Sequence, residues 1–183
     1  MADLRAGKVR LRPLEPEDIE LLVSGRHVGA VPALSVDEDA ARERLRRRIE
    51  RSGRFVEGRL DLGIVVDGRL AGTIEARRPH EGLPPGVFEI GVSLFDVADR
   101  GRGAGTTAVG LFTGYLFSEH GASRVQAGTW VENTAMRRVL EKLGYRCEGV
   151  MREFMPADEG RHDYALYAVT RADWLTSRDS APA

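Results

Sequence analysis

Between Phe88 and Ala108 the chain reads FEIGVSLFDVADRGRGAGTTA, and few architectures accommodate such a segment. Phe88, Ile90, Val92 and Leu94 alternate with Glu89, Gly91, Ser93 and Phe95, the period-2 signature of a strand with two unlike faces. The strand gives way to Arg100-Gly101-Arg102-Gly103-Ala104-Gly105 and then to Ala108, Phe112, Tyr115 and Leu116 at helical spacing. Alternate glycines let a backbone approach a ligand without Cβ clashes. A helix beginning there leaves its first N–H groups unpaired and partly positive, which suits a phosphate or diphosphate. Arg100 and Arg102 add charge for the same anion. The plain alternative is a flexible turn with solvated arginines.

Two familiar phosphate loops do not fit. The Walker-type Gly-x4-Gly-Lys-Ser/Thr pattern is absent, and in a Rossmann Gly-x-Gly-x-x-Gly pattern the third glycine would fall on Thr106. What remains is Arg-x-x-Gly-x-Gly between a strand and a helix.

The flanking sequence predicts a mixed α/β fold in one domain spanning residues 1–183, with a frayed tail from Ser177 to Ala183. Val9–Leu14 reads as a first strand, and Pro16, Glu17 and Asp18 as a helix start leading to Ile19, Leu21 and Leu22. A second helix is expected from about Asp37 to Ser52, with Ser35 as a cap. Leu60–Val66 and Leu70–Ala76, joined by Asp67-Gly68, form a hairpin signal. Pro79–Gly86 reads as a loop, Arg124–Trp130 as a strand, and Tyr145–Phe154 and His162–Val169 as two more. Asn133 opens a helix whose Ala135, Met136, Val139, Leu140 and Leu143 make one apolar stripe, ended by Gly144. The predicted order is β-α-α-β-β-β-α-β-α-β-β.

Composition excludes several classes. Of 183 residues 42% are hydrophobic and the net charge is −1, too apolar and too neutral for a disordered chain or one devoted to nucleic acid. No apolar run nears the roughly 20 residues that span a bilayer, and the start MADLRAGKVRLR lacks the apolar centre of a secretory signal, so a cytoplasmic protein without membrane attachment is expected. Cys147, the single cysteine, forms no internal disulfide and reads as a half-buried strand residue. His27, His80, His120 and His162 lack metal-ligand spacing, so no metal is expected.

The chain resembles the GNAT N-acetyltransferase superfamily, and within it the branch that acetylates ribosomal-protein amino termini. Arg100, Gly103 and Gly105 match the family's acyl-CoA motif, Gln/Arg-x-x-Gly-x-Gly/Ala. Asn133 through Leu143-Gly144-Tyr145 is similar to the family's Asn…Leu-Gly-Phe/Tyr segment, and Arg152-Glu153 through His162-Asp163-Tyr164 to that branch's last two strands. The three motifs fall in family order from about residue 8 to residue 170.

The resemblance implies acetyl-CoA as co-substrate in a cleft where two neighbouring strands splay apart. Val92 and Leu94 would hold the pantetheine arm through backbone groups. Arg100, Gly101, Arg102, Gly103, Ala104, Gly105 and Thr106 would hold the diphosphate. Asn133 would reach the pantetheine or acetyl end, a role compatible with an ordinary helix cap. The acetyl group would pass directly from the thioester to an amine, on a protein N-terminus or a small molecule. A homodimer is left open, and a non-catalytic acyl-CoA sensor is the alternative function.

The amine attacks in its neutral form. At pH 7 an α-amine with a pKa of about 8 is roughly 10% neutral, whereas a lysine near 10.4 is below about 0.1%. Glu89, with Ser93 on the polar phase of the cofactor strand, is the expected base, relaying the proton through water. Glu75 is a second choice, and Glu153 and Asp163 are weaker ones. The positions where relatives carry a Ser or Tyr acid hold Met136 and Leu140, which cannot donate a proton; Tyr145 reads as a core aromatic and Ser93 or water is left to serve. Arg42, Arg44, Arg46, Arg47, Arg48 and Arg51 read as a solvated face interleaved with Glu43 and Glu50, or as a clamp for an acidic partner.

Overall fold

Asp67 and Gly68 both take positive φ, 49° and 82°, as a two-residue hairpin turn demands, so β3 (Arg59–Val66) folds back on β4 (Arg69–Arg77). The computed structural model describes residues 3–24, 38–78, 84–157 and 160–179. Ahead of the hairpin lie β1 (Leu4–Ala6), β2 (Val9–Arg12), a short 3-10 turn, α1 (Ile19–Ser24) and α2 (Glu38–Arg51). After it come β5 (Val87–Leu94), α3 (Ala104–Glu119), β6 (Arg124–Trp130), α4 (Thr134–Lys142), β7 (Arg146–Pro156), β8 (Arg161–Thr170) and α5 (Arg171–Asp179).

Among the described residues, one sheet contains all eight strands in the order β1-β2-β3-β4-β5-β6-β8-β7, and of these only β5 and β6 run parallel; the helix α3 crosses between them. Alternation along each strand sorts the faces. Leu60, Leu62, Ile64, Ile74, Phe88 and Ile90 are buried with Ala108, Val109, Phe112 and Leu116 of α3 in the larger core. On the opposite face Leu14, Leu22, Leu45, Ile49, Val65 and Leu70 form a smaller core under α1 and α2. Helices therefore cover both faces of the sheet, as the predicted α/β class requires.

Two elements were not anticipated. β1 pairs with β2 through Leu4↔Leu11 and Ala6↔Val9. The helix α5 takes in Ser177 and continues to Asp179, so the expected tail begins as the last helical turn; residues 180–183 lie outside the described residues. Trp174 anchors α5 by stacking on Phe117 at 5.1 Å. Ser35, His27, His80 and residues 79–83 of the expected loop also lie outside the described residues. Cys147 is exposed on β7 rather than half-buried, because β7 forms the sheet edge and nearly all of its side chains face solvent. The β7–β8 register slips between Cys147 and Gly149 and again between Met151 and Met155, where Glu153 adopts a φ of +50°.

Candidate functional site

The parallel pair β5 and β6 is joined at only three registers: Val87↔Arg124, Phe88↔Val125 and Glu89↔Gln126. Beyond Glu89 the strands part, while β5 stays paired with β4 as far as Gly72↔Leu94 and β6 stays paired with β8 as far as Trp130↔Tyr164. One edge of β5 from Ile90 to Leu94, including Val92, therefore faces a gap with strand-type hydrogen-bonding groups to offer.

The glycine turn stands at the end of this gap. Asp96 accepts a hydrogen bond from Ala98 N at 2.8 Å, and Asp99 is held by Arg69 Nη2 at 2.8 Å, which ties the turn to the β3–β4 hairpin. Gly101 and Gly103 take φ of 72° and 86°, and Gly103 is the N-cap of α3 without a side-chain cap. The first helical bond runs from Thr107 N to Gly103 O at 2.9 Å, leaving the N–H groups of Ala104, Gly105 and Thr106 ahead of it. A non-glycine residue at 103 would be strained in the left-handed region. Arg100 and Arg102 are exposed; Arg100 reaches only the carbonyl of Leu94, at 3.4 Å, and neither guanidinium meets a carboxylate among the described residues. The turn thus places unpaired amides beside two exposed guanidiniums.

Across the α2-side face of the sheet runs a band of charge that sequence spacing does not reveal. Register pairs Arg59 with Arg77, Asp61 with Glu75 and Arg77 with Glu89. Asp61, only 7% exposed, is bonded by Arg48 Nε at 2.6 Å and by Arg59 Nε at 2.8 Å. Glu75 is bonded by Arg59 and lies 3.6 Å from Arg77 Nε. Glu89 Oε1 accepts from Arg77 Nη2 at 2.8 Å and its Oε2 from Gln126 Nε2 at 3.2 Å, so this carboxylate sits at the last joined register, where the parting begins.

A cavity of about 710 Å³ opens on this face between α2 and the gap. Ser93, Gly91, Val92, Thr73, Glu75 and Asp61 line its floor. A Cβ at Gly91 would stand 3.3 Å from Glu75 Oε1, so that carboxylate lies against β5 inside the cavity, whereas Glu89 is beside it.

Sequence reasoning passed over Tyr164 as a functional group. Its ring lies directly across β6, where a Cβ on Gly128 would fall 2.1 Å from Tyr164 Cε1, so only glycine admits it. The ring stacks with Phe154 at 5.6 Å. Burial pushes the phenol above its ordinary value, and the charge of Glu89 adds to this while Arg77 opposes it. The hydroxyl therefore keeps its proton near neutrality, within electrostatic reach of Glu89.

The remaining candidates fall elsewhere. Asn133 caps α4, its Oδ1 accepting from Met136 N at 3.1 Å. Leu140 is fully buried and Met136 packs against the larger core. Tyr145 is buried with its hydroxyl 2.7 Å from Thr113 Oγ1, and burial pushes its phenol far up, as befits a core aromatic. Asp163 accepts from Glu153 N at 2.8 Å and serves the β7 irregularity, and Glu153 is exposed there.

Residues 8–146 match the acetyltransferase (GNAT) domain family. The probable N-acetyltransferase YjcK of Bacillus subtilis is 31% identical over 135 residues, 74% of either chain. Among solved structures, Mycobacterium smegmatis RimJ in complex with CoA-disulfide superposes with a TM-score of 0.75 at 22% identity, covering 97% of this chain and 93% of that one. The ribosomal-protein-S5-alanine acetyltransferase of Vibrio fischeri gives 0.77 at 18% identity, covering 95% and 99%. A parted parallel strand pair beside a glycine turn, on a sheet that superposes with these acetyltransferases, agrees with the domain match: the chain belongs to the GNAT acetyltransferase family.

Proposed function

We propose that this protein transfers the acetyl group of acetyl-CoA to a primary amine, the α-amine of a protein N-terminus in the first place and the amine of a small molecule in the second. The observation that carries the reading is the parting of β5 from β6 after three registers, directly beside the uncapped start of α3. The donor's extended, diphosphate-bearing shape fits that site. Val92 and Leu94 offer main-chain groups to a pantetheine arm, in the manner of an added strand. The amides of Ala104, Gly105 and Thr106, with Arg100, Gly101, Arg102 and Gly103 around them, suit the diphosphate. Asn133 keeps its amide nitrogen for the far end of the arm. When bound, acetyl-CoA supplies an acetyl group activated as a thioester.

The protein's own groups handle the protons. Glu89, at the point of divergence, takes the proton of the incoming ammonium through water. Ser93 stands on the cavity floor and offers a hydroxyl to the reacting centre. Tyr164, absent from the family's usual acid positions on α4, holds a proton where the departing sulfur needs one. The resemblance to proteins named RimJ and ribosomal-protein-S5-alanine acetyltransferase supports a protein N-terminus as acceptor. Met136 and Leu140 at the family's acid positions favour the second reading, an acyl-CoA sensor.

Calorimetry with acetyl-CoA followed by thiol release separates the two. Release is expected with a peptide bearing a free alanine α-amine and not with its N-acetylated form. Glu89→Gln is expected to lower kcat/KM by more than about tenfold and to move the pH–rate profile alkaline, since the solution must then supply the neutral amine. Tyr164→Phe is expected to lower kcat and leave the affinity for acetyl-CoA unchanged. Coenzyme binding with no release on any free amine replaces the transferase with the sensor.

A further inference from the structure

Among the described residues, the cavity that would receive the amine is lined by Arg44, Arg47, Arg48, Arg51 and Arg59 against three carboxylates, Glu57, Asp61 and Glu75. Each of the three is already matched. Asp61 lies between Arg48 and Arg59, Glu75 is bonded by Arg59, and Glu57 meets Arg51 Nη1 at 2.7 Å. Arg44 meets no carboxylate among the described residues, and Arg47 shares the exposed Glu43, at 3.2 Å, with Arg46. Arg44, Arg47, Arg48 and Arg51 recur at i, i+3, i+4 and i+7, so one face of α2 presents them together to the cavity. Leu22, Leu45, Val56 and Phe95 complete the lining with apolar surface.

An ammonium entering such a site meets surplus positive charge at the mouth and neutralised carboxylates on the floor. A polycation gains nothing here. An amine joined to a carboxylate or phosphate gains two guanidiniums whose forked donors fit those anions. From this charge arrangement, and resting on the acetyl-transfer reading above, we propose that the acceptor is an α-amine whose carrier bears an anionic group close by, held by Arg44 and Arg47. The source is either an acidic residue within the first few positions of a peptide or the carboxylate of a free amino acid; the cavity's size, about 710 Å³, admits either.

The test compares, at equal length, a peptide beginning Ala-Asp-Glu, one beginning Ala-Lys-Arg, free aspartate and spermidine, by thiol release from acetyl-CoA and by calorimetric binding of each to the protein saturated with CoA. The acidic peptide or aspartate is expected to exceed the basic peptide and spermidine by at least about tenfold in kcat/KM and in affinity, with the gap shrinking at high salt. Whichever of the acidic peptide and aspartate leads identifies the source. The double charge reversal Arg44→Glu with Arg47→Glu is expected to invert the preference and to leave the Kd for acetyl-CoA unchanged. Turnover with the basic peptide or spermidine equal to or above the acidic arms overturns this proposal and leaves the transferase standing. Selective binding of the acidic arms without any turnover upholds the anion site at Arg44 and Arg47 and removes the transferase, and with it the acceptor role, instead. Equal binding of all four overturns it whatever the turnover.

Discussion

Gly105 is the residue at which ligand and fold make different demands. A Cβ there would meet only Leu94 Cδ1, at 3.8 Å, an ordinary contact, and the position has helical φ rather than the left-handed φ of Gly103. The free protein therefore tolerates a side chain at 105, and a helical glycine replaced by a better helix former gains a little stability. A bound diphosphate does not tolerate it, least of all a carboxylate. Gly105→Glu is expected to keep or raise Tm and to weaken acetyl-CoA binding by at least about a hundredfold, some 2.7 kcal/mol. Calorimetry on the variant checks this, and undiminished affinity would remove the turn from the coenzyme site. Gly103→Glu is a poorer probe because its φ of +86° makes any side chain costly for the free protein as well.

At the scale of elements, the missing registers between β5 and β6 leave amides on the open edge of β5 without strand partners, whereas those facing β4 are paired through to Leu94. Amide hydrogen exchange is expected to be fast on the open edge and to slow markedly when acetyl-CoA is added, with the β4-facing amides unaffected. Equal protection along both edges before addition would show that the strands do not part in solution. This element was legible in the sequence because its signals are local: alternation through Phe88–Leu94, a glycine turn, and helical periodicity from Ala108. The hairpin at Asp67-Gly68 and the cap at Asn133 were legible for the same reason. β1 was not, since Leu4, Arg5 and Ala6 are too few to show a period and are ordered by pairing with β2. The helix α5 was not, since its residues are mostly polar and it is fixed by non-local contacts, Trp174 stacking on Phe117 and Arg171 donating to the carbonyls of Phe117 and Ala122. The band from Arg48 through Asp61, Arg59, Glu75 and Arg77 to Glu89 was invisible because its members lie on four elements and meet only through sheet register and the packing of α2 on the sheet. The solvated reading of α2 accordingly holds for its outer arginines, such as Arg46, and fails for Arg48, whose guanidinium is turned inward.

For the molecule as a whole, stability carries the imprint of His120. Its ring is wedged between Phe55 and Tyr115, each at 4.8 Å, and its buried Nε2 has no hydrogen-bond partner among the described residues. Burial holds its pKa below the ordinary histidine value, with the charge of Arg78 acting in the same direction and Glu119 against it. The folded state thus prefers the neutral ring, and this contribution is intact above the unfolded value of about 6.5 and is lost as pH falls through the lower folded value. Urea unfolding is expected to show stability declining below about pH 6.5, and His120→Phe to flatten part of that decline. An identical slope in the variant would acquit the histidine.

The slipped register of β7 bears on how the protein behaves in crowded solution. A sheet's last strand is a template on which a stranger's backbone can crystallise, and this one carries Val150 and Phe154 on open display. Two interruptions in eleven residues, one with Glu153 twisted to the left-handed side, break that template into pieces too short to recruit a neighbour. Straightening them would trade a kinked rim for a sticky one, and the first symptom would be turbidity on concentration rather than any loss of catalysis.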